Sequence, residues 1–468
     1  MYTNDSTCVG LGDKMTDCFQ TNQGVRQGCV LSPILFNIFL ADLTNNLKGN
    51  EDTYLRVNEN DPISSIIWAD DLLLLSDSEK GLNNVLMKLE DYCKQNEIEV
   101  NLEKTKCMIF NKTGRLLRKL FWFGNKRLET VREYKYLGFL ITPSLNLNSS
   151  LKDLKDRAMR AFYTLKSKMG DQFKRDITTS LHLFDSLIKP ILLYGSDYWG
   201  CLKLPKNNPI ETLHMTFCKE LLGVQKQTTN IGVLLELDRV PLSIYAKKNC
   251  VKNWERIAIR KDANFLSKAS YEFALYNNTG WAQSIKDYFS PIGLMNVFLN
   301  ENVTRQANLE ASEREKDMFY QTSFLTIQQN TSKLRLFGKL KKTIGLENYL
   351  INTKNMIDRI SMTKFRLSNH GLMIEKGRHN HIERDNRKCP FCKHRVEDEF
   401  HFIIECPTYA PIRAQLLGEL NLRENYYNDQ SLFTLLMETE NIIPLTVKYI
   451  TRATTLREFI LTKHRNMC

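Results

Sequence analysis

The chain places two adjacent carboxylates, Asp70 and Asp71, inside an apolar run that reads IIWADDLLLLS over residues 66–76. Burying neighbouring carboxylates is costly because each loses its hydration and repels the other. Side chains alternate along a strand, but the alternation breaks at a tight turn. A β-hairpin with both aspartates at its turn would let them reach one Mg²⁺ ion, which takes carboxylate oxygens as ligands. The competing interpretation is a solvent-exposed turn without a metal, since Asp is common in turns.

A glycine-rich loop lies upstream of this hairpin and reads QGVRQGCVLSP over residues 23–33. Gly24 and Gly28 permit close approach of the backbone to a ligand. Arg26 and Gln27 supply hydrogen-bond donors that suit phosphates or base edges. Such a loop alone indicates little about function, but the order of loop, helix and acidic hairpin is more specific.

A third group of candidate ligands has the spacing C-x2-C-x8-H-x4-C and consists of Cys389, Cys392, His401 and Cys406. Closed structural zinc sites use four such ligands, and C-x2-C is a usual opening. The alternatives are a redox pair or ordinary core residues, and His394 competes with His401 for the fourth position. His401 is favoured because about one and a half helical turns would bring it toward Cys406. The flanking basic segment 376–388 suits phosphate contacts or a solvated face.

The elements that must position the acidic pair follow a mixed α/β pattern. Ser32 is expected as a helix N-cap with Pro33 as the first helical residue, and the apolar face of this helix comprises Leu35, Ile38, Phe39 and Leu43. The remaining patterns predict a strand–turn–strand at 63–76 and an amphipathic helix at 80–96. They also predict a strand pair or a strand–turn–strand at 98–110, and a strand pair at 132–142 that turns at Gly138. Helical patterns dominate from residue 148 onward, at 150–169, 177–202, 209–223 and 241–262. The sequence thus predicts an α+β fold.

Composition narrows the classes of partner. The 468 residues include 65 Lys and Arg against 53 Asp and Glu, a net charge of +12. This excess fits a polyanionic partner, although a basic globular protein without one gives the same charge. No apolar run approaches the roughly 18 residues of a membrane span, and the polar N-terminus lacks a secretory pattern. We therefore expect an intracellular protein, with its scattered cysteines reduced.

The ordered motifs resemble the reverse transcriptase palm of non-LTR, LINE-type retrotransposons. They are GVRQGCVLSPILFNIFLADL, WADDLLLLSDSE, VNLEKTKCMIF and YKYLGFLIT. Residues 188–200 and 217–242 resemble that family's thumb and the region after it, and residues 365–409 resemble its C-terminal segment. The resemblance implies RNA-directed DNA polymerisation from dNTPs, with an RNA template, a DNA primer and two Mg²⁺ ions, in the nucleus or cytoplasm. It implies no membrane association and leaves the oligomeric state open.

The resemblance also assigns roles to individual residues. Asp70 is the main metal ligand and Asp71 its acidic neighbour. Arg26, Gln27 and Gly28 line the incoming nucleotide and template, and Lys104 lies near the nucleotide phosphates. The hairpin that grips the primer contains Tyr136, Leu137 and Gly138. The Cys and His group corresponds to the family's C-terminal zinc motif.

The family pattern includes a third carboxylate on a strand well upstream of the glycine loop, and no position here matches it. We therefore expect an N-terminally truncated polymerase that is inactive alone, with an uncovered apolar surface on its palm. The expected domains are a partial palm (1–147), a helical thumb and following region (148–262), a helical connector (263–345), a zinc-knuckle-like segment (346–425) and a helical tail (426–468). The alternative function is a non-enzymatic nucleic-acid-binding protein that uses the basic thumb and the zinc motif.

Overall fold

The structure is a computed structural model that describes residues 6–20, 24–26, 28–48, 55–58, 61–205, 207–276, 280–295, 305–329, 333–422 and 429–465. The chain divides into two compact units. One contains residues 1–146 and 268–273, and the other contains residues 147–267 and 274–468. The described strands lie in the first unit, while the second is built almost entirely from helices. This division matches the predicted α+β class.

The first unit combines short antiparallel hairpins with one long helix. Its helices are α1 (Ser32–Phe39), α2 (Leu43–Asn46) and α3 (Glu79–Gln95). Its strands are β1 (Ser6–Thr7), β2 (Gly10–Leu11), β3 (Lys14–Met15), β4 (Phe19–Gln20), β5 (Leu55–Asn58), β6 (Asp61–Ile63), β7 (Ser65–Trp68), β8 (Asp71–Leu74), β9 (Lys106–Cys107), β10 (Phe121–Phe123), β11 (Lys126–Thr130), β12 (Tyr134–Tyr136) and β13 (Phe139–Ile141). The strands form pairs β1–β4, β2–β3, β5–β6, β7–β8 and β12–β13, and one three-stranded sheet in the order β10–β11–β9.

Helix α3 organises the core of this unit, as its apolar pattern predicted. Ser78 caps the helix by accepting a hydrogen bond from the Gly81 N–H. One face buries Val85, Leu86, Leu89, Tyr92 and Cys93. Leu43 and Leu47 complete one cluster, against which the acidic hairpin packs, and Cys107, Phe121 and Leu128 complete a second with Leu86. A single amphipathic helix therefore supports both the acidic hairpin and the three-stranded sheet.

Two expectations about local structure were wrong. Ser32 does not cap α1: it is the first helical residue, Leu31 is the N-cap, and the Ser32 hydroxyl donates to the Arg26 carbonyl at 2.7 Å. Residues 98–110 contain only the short strand β9. Asn101 accounts for this, because its side-chain oxygen accepts from the Lys104 N–H at 3.1 Å and holds residues 102–104 in a turn. A local side-chain bond thus outcompetes the alternating pattern.

The apolar face of α1 is largely uncovered in the described structure. Ile38 is 66% exposed and Phe39 is 49% exposed, whereas Leu43 at the start of α2 is buried. Only the end of the predicted apolar stripe therefore joins the core. This uncovered apolar surface agrees with the one expected from the sequence.

Residues 6–20 form a nested hairpin whose register contradicts the expectation that all cysteines are reduced. Ser6 pairs with Gln20 and Thr7 with Phe19, and Gly10 pairs with Met15 nearer the turn. This register brings Cys8 opposite Cys18, and the two form a disulfide with a Cα–Cα distance of 4.4 Å. The two cysteines lie ten residues apart around a turn at Gly12, and this spacing is the signal in the sequence that favours their pairing.

The second unit is an array of helices. They are α4 (Leu147–Met169), α5 (Gln172–Arg175), α6 (Ile177–Leu183), α7 (Lys189–Leu192), α8 (Ser196–Trp199), α9 (Pro209–Leu222), α10 (Asn230–Glu236), α11 (Leu242–Arg260), α12 (Phe265–Tyr276), α13 (Gly280–Phe289), α14 (Arg305–Gln328), α15 (Arg335–Leu340), α16 (Asn348–Asn352), α17 (Met356–Arg366), α18 (Met373–His379), α19 (Ala410–Glu419), α20 (Asp429–Glu438) and α21 (Ile443–Arg465). Phe184–Ile188 and His401–Glu405 are π-helical, and Arg384–Asn386 and Pro407–Tyr409 are 3-10 turns. A part of α12, residues 268–273, is grouped with the first unit.

Four phenylalanines from α4, α5, the first π-helical segment and α9 anchor the first part of this helical array. They are fully buried and contact one another edge-on, tilted or stacked, and they are Phe162, Phe173, Phe184 and Phe217. The long helices predicted in 150–169 and 209–223 thus pack against each other through aromatic side chains.

Candidate active site and Cys/His cluster

The acidic pair lies on a tight hairpin, but not with the predicted turn. Strands β7 and β8 pair antiparallel with Trp68 opposite Asp71 and Ile67 opposite Leu72. The two-residue loop is therefore Ala69–Asp70, and Asp71 is the first residue of β8 rather than a turn residue. Ala69 takes the left-handed conformation with φ of 54°, which reverses the chain within two residues.

The hairpin register explains how an apolar run tolerates two carboxylates. Cross-strand partners share a face, so Ile67, Leu72 and Leu74 form one side, and all three pack against the core around α3. Asp71 and its partner Trp68 form the opposite side, and both are exposed. Asp70 at the loop is exposed as well. The apolar residues stabilise the hairpin while both carboxylates keep their hydration.

Two adjacent, exposed carboxylates offer the oxygen donors that Mg²⁺ prefers, and in this respect the residues fit the expected ion. A two-metal site needs more ligands than one such pair provides. Across the described ranges, the one group of three or more Cys, His, Asp or Glu side chains close enough to share a metal is the Cys/His cluster. The described part of the chain therefore provides the acidic pair without a third carboxylate beside it.

A second hairpin lies beside the acidic pair. Tyr136 pairs with Phe139 across a loop of Leu137 and Gly138, whose φ angles are 46° and 79°. Such a two-residue loop matches the twist of the strands, and Gly138 adopts the left-handed conformation without strain. Burial and the neighbouring Asp71 carboxylate raise the pKa of Tyr136 above its usual value. The predicted turn at Gly138 is present.

Lys104 is held near the same hairpin by a contact that sequence reasoning missed. The Tyr134 hydroxyl donates to the Lys104 carbonyl at 3.3 Å, and the Lys104 N–H bonds to Asn101. The Lys104 side chain is exposed. Because Tyr134 and Tyr136 lie on one strand, that strand links the lysine turn to the surroundings of Asp71. The thirty-residue separation of the pair leaves no local signal in the sequence.

The glycine-rich loop is only partly described. Arg26 is exposed, and its carbonyl accepts hydrogen bonds from the Ser32 hydroxyl and from the Cys29 N–H at 3.3 Å. Gly28 has a φ of 83°, and a Cβ built on it meets no atom within 4 Å. The glycine therefore serves the backbone turn, which L-residues rarely adopt. Gln27 lies outside the described residues.

The four predicted zinc ligands converge in the second unit. Their candidate donor atoms all lie within 4.8 Å of one another. Cys389 Sγ is 3.9 Å from Cys406 Sγ, and Cys392 Sγ is 3.4 Å from His401 Nε2. Tetrahedral bonds of about 2.3 Å to sulfur and about 2.0 Å to nitrogen would place such pairs about 3.8 and 3.5 Å apart. The donors thus fit a Zn²⁺ ion, whereas the competing His394 is exposed and is not among the converging residues.

The electrostatics of the cluster favour a Cys406 thiolate beside a protonated His401, so binding of Zn²⁺ would displace the His401 proton. A hydrogen bond from Cys389 lowers the pKa of Cys406 to about 4, against the opposing effect of burial. Burial lowers the pKa of His401, but hydrogen bonds with Cys406 and Glu405 outweigh it and raise the value to about 9. His401 Nδ1 lies 3.1 Å from the Glu405 carboxylate, and this contact directs Nε2 toward Cys392. Glu405 is an orienting residue that the sequence analysis missed, although its position four residues after His401 on one helical face is a usable signal.

Backbone contacts fix the cluster within the second unit. The Cys389 N–H donates to the Arg395 carbonyl at 2.9 Å, and the Lys393 N–H donates to the Cys389 carbonyl at 3.0 Å. Arg413 donates to the Cys406 carbonyl at 2.6 Å. These bonds close a turn around the first two cysteines and tie the last one to α19. The ligand positions are therefore held by the surrounding fold as well as by their own spacing.

The sequence is also similar to known proteins. Residues 8–141 match the family model described as reverse transcriptase (RNA-dependent DNA polymerase). The chain is 27% identical over 199 residues to "Probable RNA-directed DNA polymerase from transposon BS" of Drosophila melanogaster, which covers 41% of this chain and 21% of that protein. It is 24% identical over 211 residues to the RNA-directed DNA polymerase from mobile element jockey of the same species, covering 43% of this chain and 22% of the relative.

A third relative extends the similarity. The chain is 23% identical over 264 residues to a retrovirus-related Pol polyprotein from a type-1 retrotransposable element of Nasonia vitripennis, covering 50% of this chain and 24% of that protein. The chain thus spans about a quarter or less of the length of these curated relatives. The resemblance on which the sequence analysis relied is confirmed. Residues 8–141 therefore match the reverse transcriptase family, and the chain is similar to RNA-directed DNA polymerases of non-LTR, LINE-type retrotransposons.

Proposed function

We propose that this chain carries part of an RNA-directed DNA polymerase that joins dNTPs to a DNA primer on an RNA template. The observation that supports this best is the exposed Asp70–Asp71 pair on a hairpin inside the segment matched to the reverse transcriptase family. Bound Mg²⁺ would supply charge stabilisation at the transferring phosphate and activation of the primer hydroxyl. The two carboxylates of this chain would hold it.

The surrounding residues have complementary roles in this proposal. The exposed Lys104 side chain contacts nucleotide phosphates, since a lysine ammonium is a compact donor for them. Arg26, Gln27 and Gly28 line the nucleotide and template. The hairpin of Tyr136, Leu137 and Gly138 holds the primer end beside Asp71. The Asp71 carboxylate contributes to the raised pKa of Tyr136, which supports this last role.

The Cys/His cluster would serve as a structural Zn²⁺ site in the segment 346–425, where it joins four side chains in one closed set. In the same proposal, residues 1–147 form the partial palm, 148–262 the thumb and following region, 263–345 a connector and 426–468 a helical tail. Duplex or single-stranded nucleic acid would be held by the basic surface, and location would be nuclear or cytoplasmic. No helix in the described residues combines the length and apolarity required to cross a bilayer.

Primer extension tests the polymerase proposal. We expect residues 1–468 alone not to extend a primer with dNTPs and Mg²⁺, because the acidic pair lacks a third carboxylate nearby among the described residues. A chimaera that adds the fingers and first acidic strand of a related polymerase should extend it. In that chimaera Asp70→Asn should lower the rate at least about 100-fold, since a preorganised electrostatic group is lost.

Asp77→Asn is the matched control, because Asp77 is exposed and lies just beyond the same hairpin. It should leave the rate of the chimaera unchanged. Extension by residues 1–468 alone that depends on Asp70 would show that the acidic pair suffices. A chimaera whose activity survives Asp70→Asn would contradict the proposed role of the pair.

A further inference from the structure

The segment between the lysine turn and the second hairpin concentrates positive charge. Residues 112–135 contain eight Lys or Arg and two Glu, so they carry +6 of the chain's net +12. The family motifs named in the sequence analysis flank this segment without including its centre. Within it lie β10 and β11, which form a hairpin with Trp122 opposite Arg127. Neither residue has a part in the polymerase site described above.

The two faces of this hairpin differ sharply. Phe121 and Leu128 are partners on one face, 3% and 2% exposed, and they pack into the core with α3. Trp122 and Arg127 are partners on the other face, where Trp122 is 47% exposed and Arg127 is also exposed. An indole and a guanidinium thus stand side by side on the solvent face of a sheet.

The outer edge of β10 is fixed by side chains of α3. The Trp122 N–H donates to Asn83 Oδ1 at 3.2 Å, and Asn83 Nδ2 donates to the Leu120 carbonyl at 3.1 Å. The Leu120 N–H donates to the Glu79 carboxylate at 3.1 Å. These bonds satisfy the edge of the strand and hold it against the helix. The exposed face is therefore a rigid platform, so little conformational freedom would be lost on binding.

The charge on the platform is not neutralised locally. Lys106 on β9 forms an ion pair with Glu129 at 2.7 Å. This pair neutralises the carboxylate that lies on the exposed face. Arg118 and Arg127 line an open cavity of about 410 Å³ together with Leu116, Leu128, Glu129 and Thr130. Within the described ranges no ion pair involves either arginine. Two guanidinium groups therefore remain available to an anion, and that of Arg127 lies beside the exposed indole of Trp122.

We infer that the face of Trp122 and Arg127, together with Arg118 in the cavity that it shares with Arg127, binds a single strand of nucleic acid. An unpaired base would stack on the indole of Trp122, and the adjacent phosphates would contact the two guanidinium groups. Stacking requires an unpaired base, so single-stranded RNA is favoured over duplex. The inference rests on the proposed function for its biological setting, because a polymerase on RNA must hold the unpaired template. The platform itself is argued from its own residues.

Binding of a fluorescein-labelled single-stranded RNA to residues 1–468, followed by anisotropy without Mg²⁺ or dNTPs, tests the inference. Trp122→Leu should weaken binding about 5-fold to 150-fold, the range for one stacked base, while Trp122→Phe should retain most of the affinity. The double variant Arg118→Gln with Arg127→Gln should lower the slope of log affinity against log salt by about 1.4, or about 0.7 per lost phosphate contact. The loss of affinity caused by Trp122→Leu should be smaller for an RNA–DNA duplex of equal length than for the single strand.

Lys126→Gln is the matched control, since it removes one charge from the same hairpin at a position that shares the strand face of Leu128. Thermal unfolding should be unchanged in every variant because all these side chains are exposed. Unchanged affinity in both the Trp122→Leu and the double arginine variants would overturn the inference. An equal loss in Lys126→Gln would also overturn it, because the effect would then reflect general charge.

Asp70→Asn separates this inference from the proposed polymerase function. It should leave RNA binding to the platform unchanged while abolishing primer extension in the chimaera. If the chimaera fails to extend a primer but Trp122→Leu still weakens RNA binding, only the polymerase proposal fails. If extension depends on Asp70 but the platform variants bind normally, only the platform inference fails.

Discussion

Replacing one ligand of the Cys/His cluster should remove a metal from the protein. The perturbation is Cys406→Ala, with Cys218→Ala as its control. Both thiols are fully buried in the second unit, so both substitutions leave the same small cavity. Only Cys406 lies among the converging ligands. A difference between the two variants therefore reports metal binding rather than the loss of a buried sulfur.

The structure sets the expected size of this effect. The 3.9 Å and 3.4 Å separations of the two donor pairs lie within about 0.2 Å of a zinc tetrahedron, so little rearrangement opposes binding. Structural zinc sites in small domains contribute about 10–16 kcal/mol of apparent binding free energy, while whole domains are stable by about 5–15 kcal/mol. Loss of the metal should therefore unfold the surroundings of the cluster, whereas the buried sulfur of Cys218 should cost only about 1 kcal/mol.

Metal content is the direct assay. Protein purified in reducing buffer should hold close to one Zn²⁺ per chain, and Cys218→Ala should hold the same amount. Cys406→Ala should hold much less, and a chelator should lower the melting temperature of the unaltered protein and of Cys218→Ala. Glu405→Gln should retain the metal but bind it about 10-fold to 100-fold more weakly, because Glu405 orients His401.

Two results would refute this reasoning. Unaltered protein with fully reduced thiols and no bound Zn²⁺ would show that the four donors do not form a metal site. Equal metal content in Cys406→Ala and the unaltered protein would show that the metal binds elsewhere. Substitution with Co²⁺ gives an independent check, since the absorption of a tetrahedral thiolate site should appear in Cys218→Ala and be lost in Cys406→Ala.

Two further predictions concern stability. Arg366→Met should lower the free energy of unfolding by about 3–5 kcal/mol in urea, because it leaves the fully buried Glu236 carboxylate without its 2.9 Å ion pair; adding Glu236→Gln should restore much of the loss. A single variant within 1 kcal/mol of the unaltered protein would contradict this. Gly138→Ala should destabilise by about 1 kcal/mol because its φ is 79°, whereas Gly418→Ala should be neutral or stabilising because that glycine is helical with open space beside it. Thermal unfolding of both variants checks the pair, and equal shifts would contradict the argument.

Short-range patterns predicted much of the fold and of the site. The acidic hairpin, the turn at Gly138 and helix α3 each follow from residues within about twenty positions of one another. The convergence of the Cys/His cluster also follows from spacing, because its ligands lie within one short segment. In each case the chemical requirement and the local backbone preference point to the same structure.

The features that sequence reasoning missed depend on contacts between distant residues or on competing local bonds. Tyr134 bonds to the Lys104 turn from thirty residues away, and neither residue type predicts this contact. Asn101 replaces a predicted strand with a turn by bonding the backbone nearby. The Cys8–Cys18 pair follows from the register of a nested hairpin, which composition alone does not specify.

The hairpin register separates the stability of the acidic site from its chemistry. Ile67 and Leu72 tie the hairpin to the core, whereas Asp70 and Asp71 are exposed and contribute nothing to that contact. Asp70→Asn should therefore change the free energy of unfolding by less than about 0.5 kcal/mol, the usual effect of a surface substitution. It also relieves repulsion between neighbouring carboxylates, so any change should be toward stability. Urea unfolding of residues 1–468 measures this directly. A clear destabilisation would mean that Asp70 supports the hairpin, and a loss of primer extension in the chimaera could then no longer be attributed to metal binding alone.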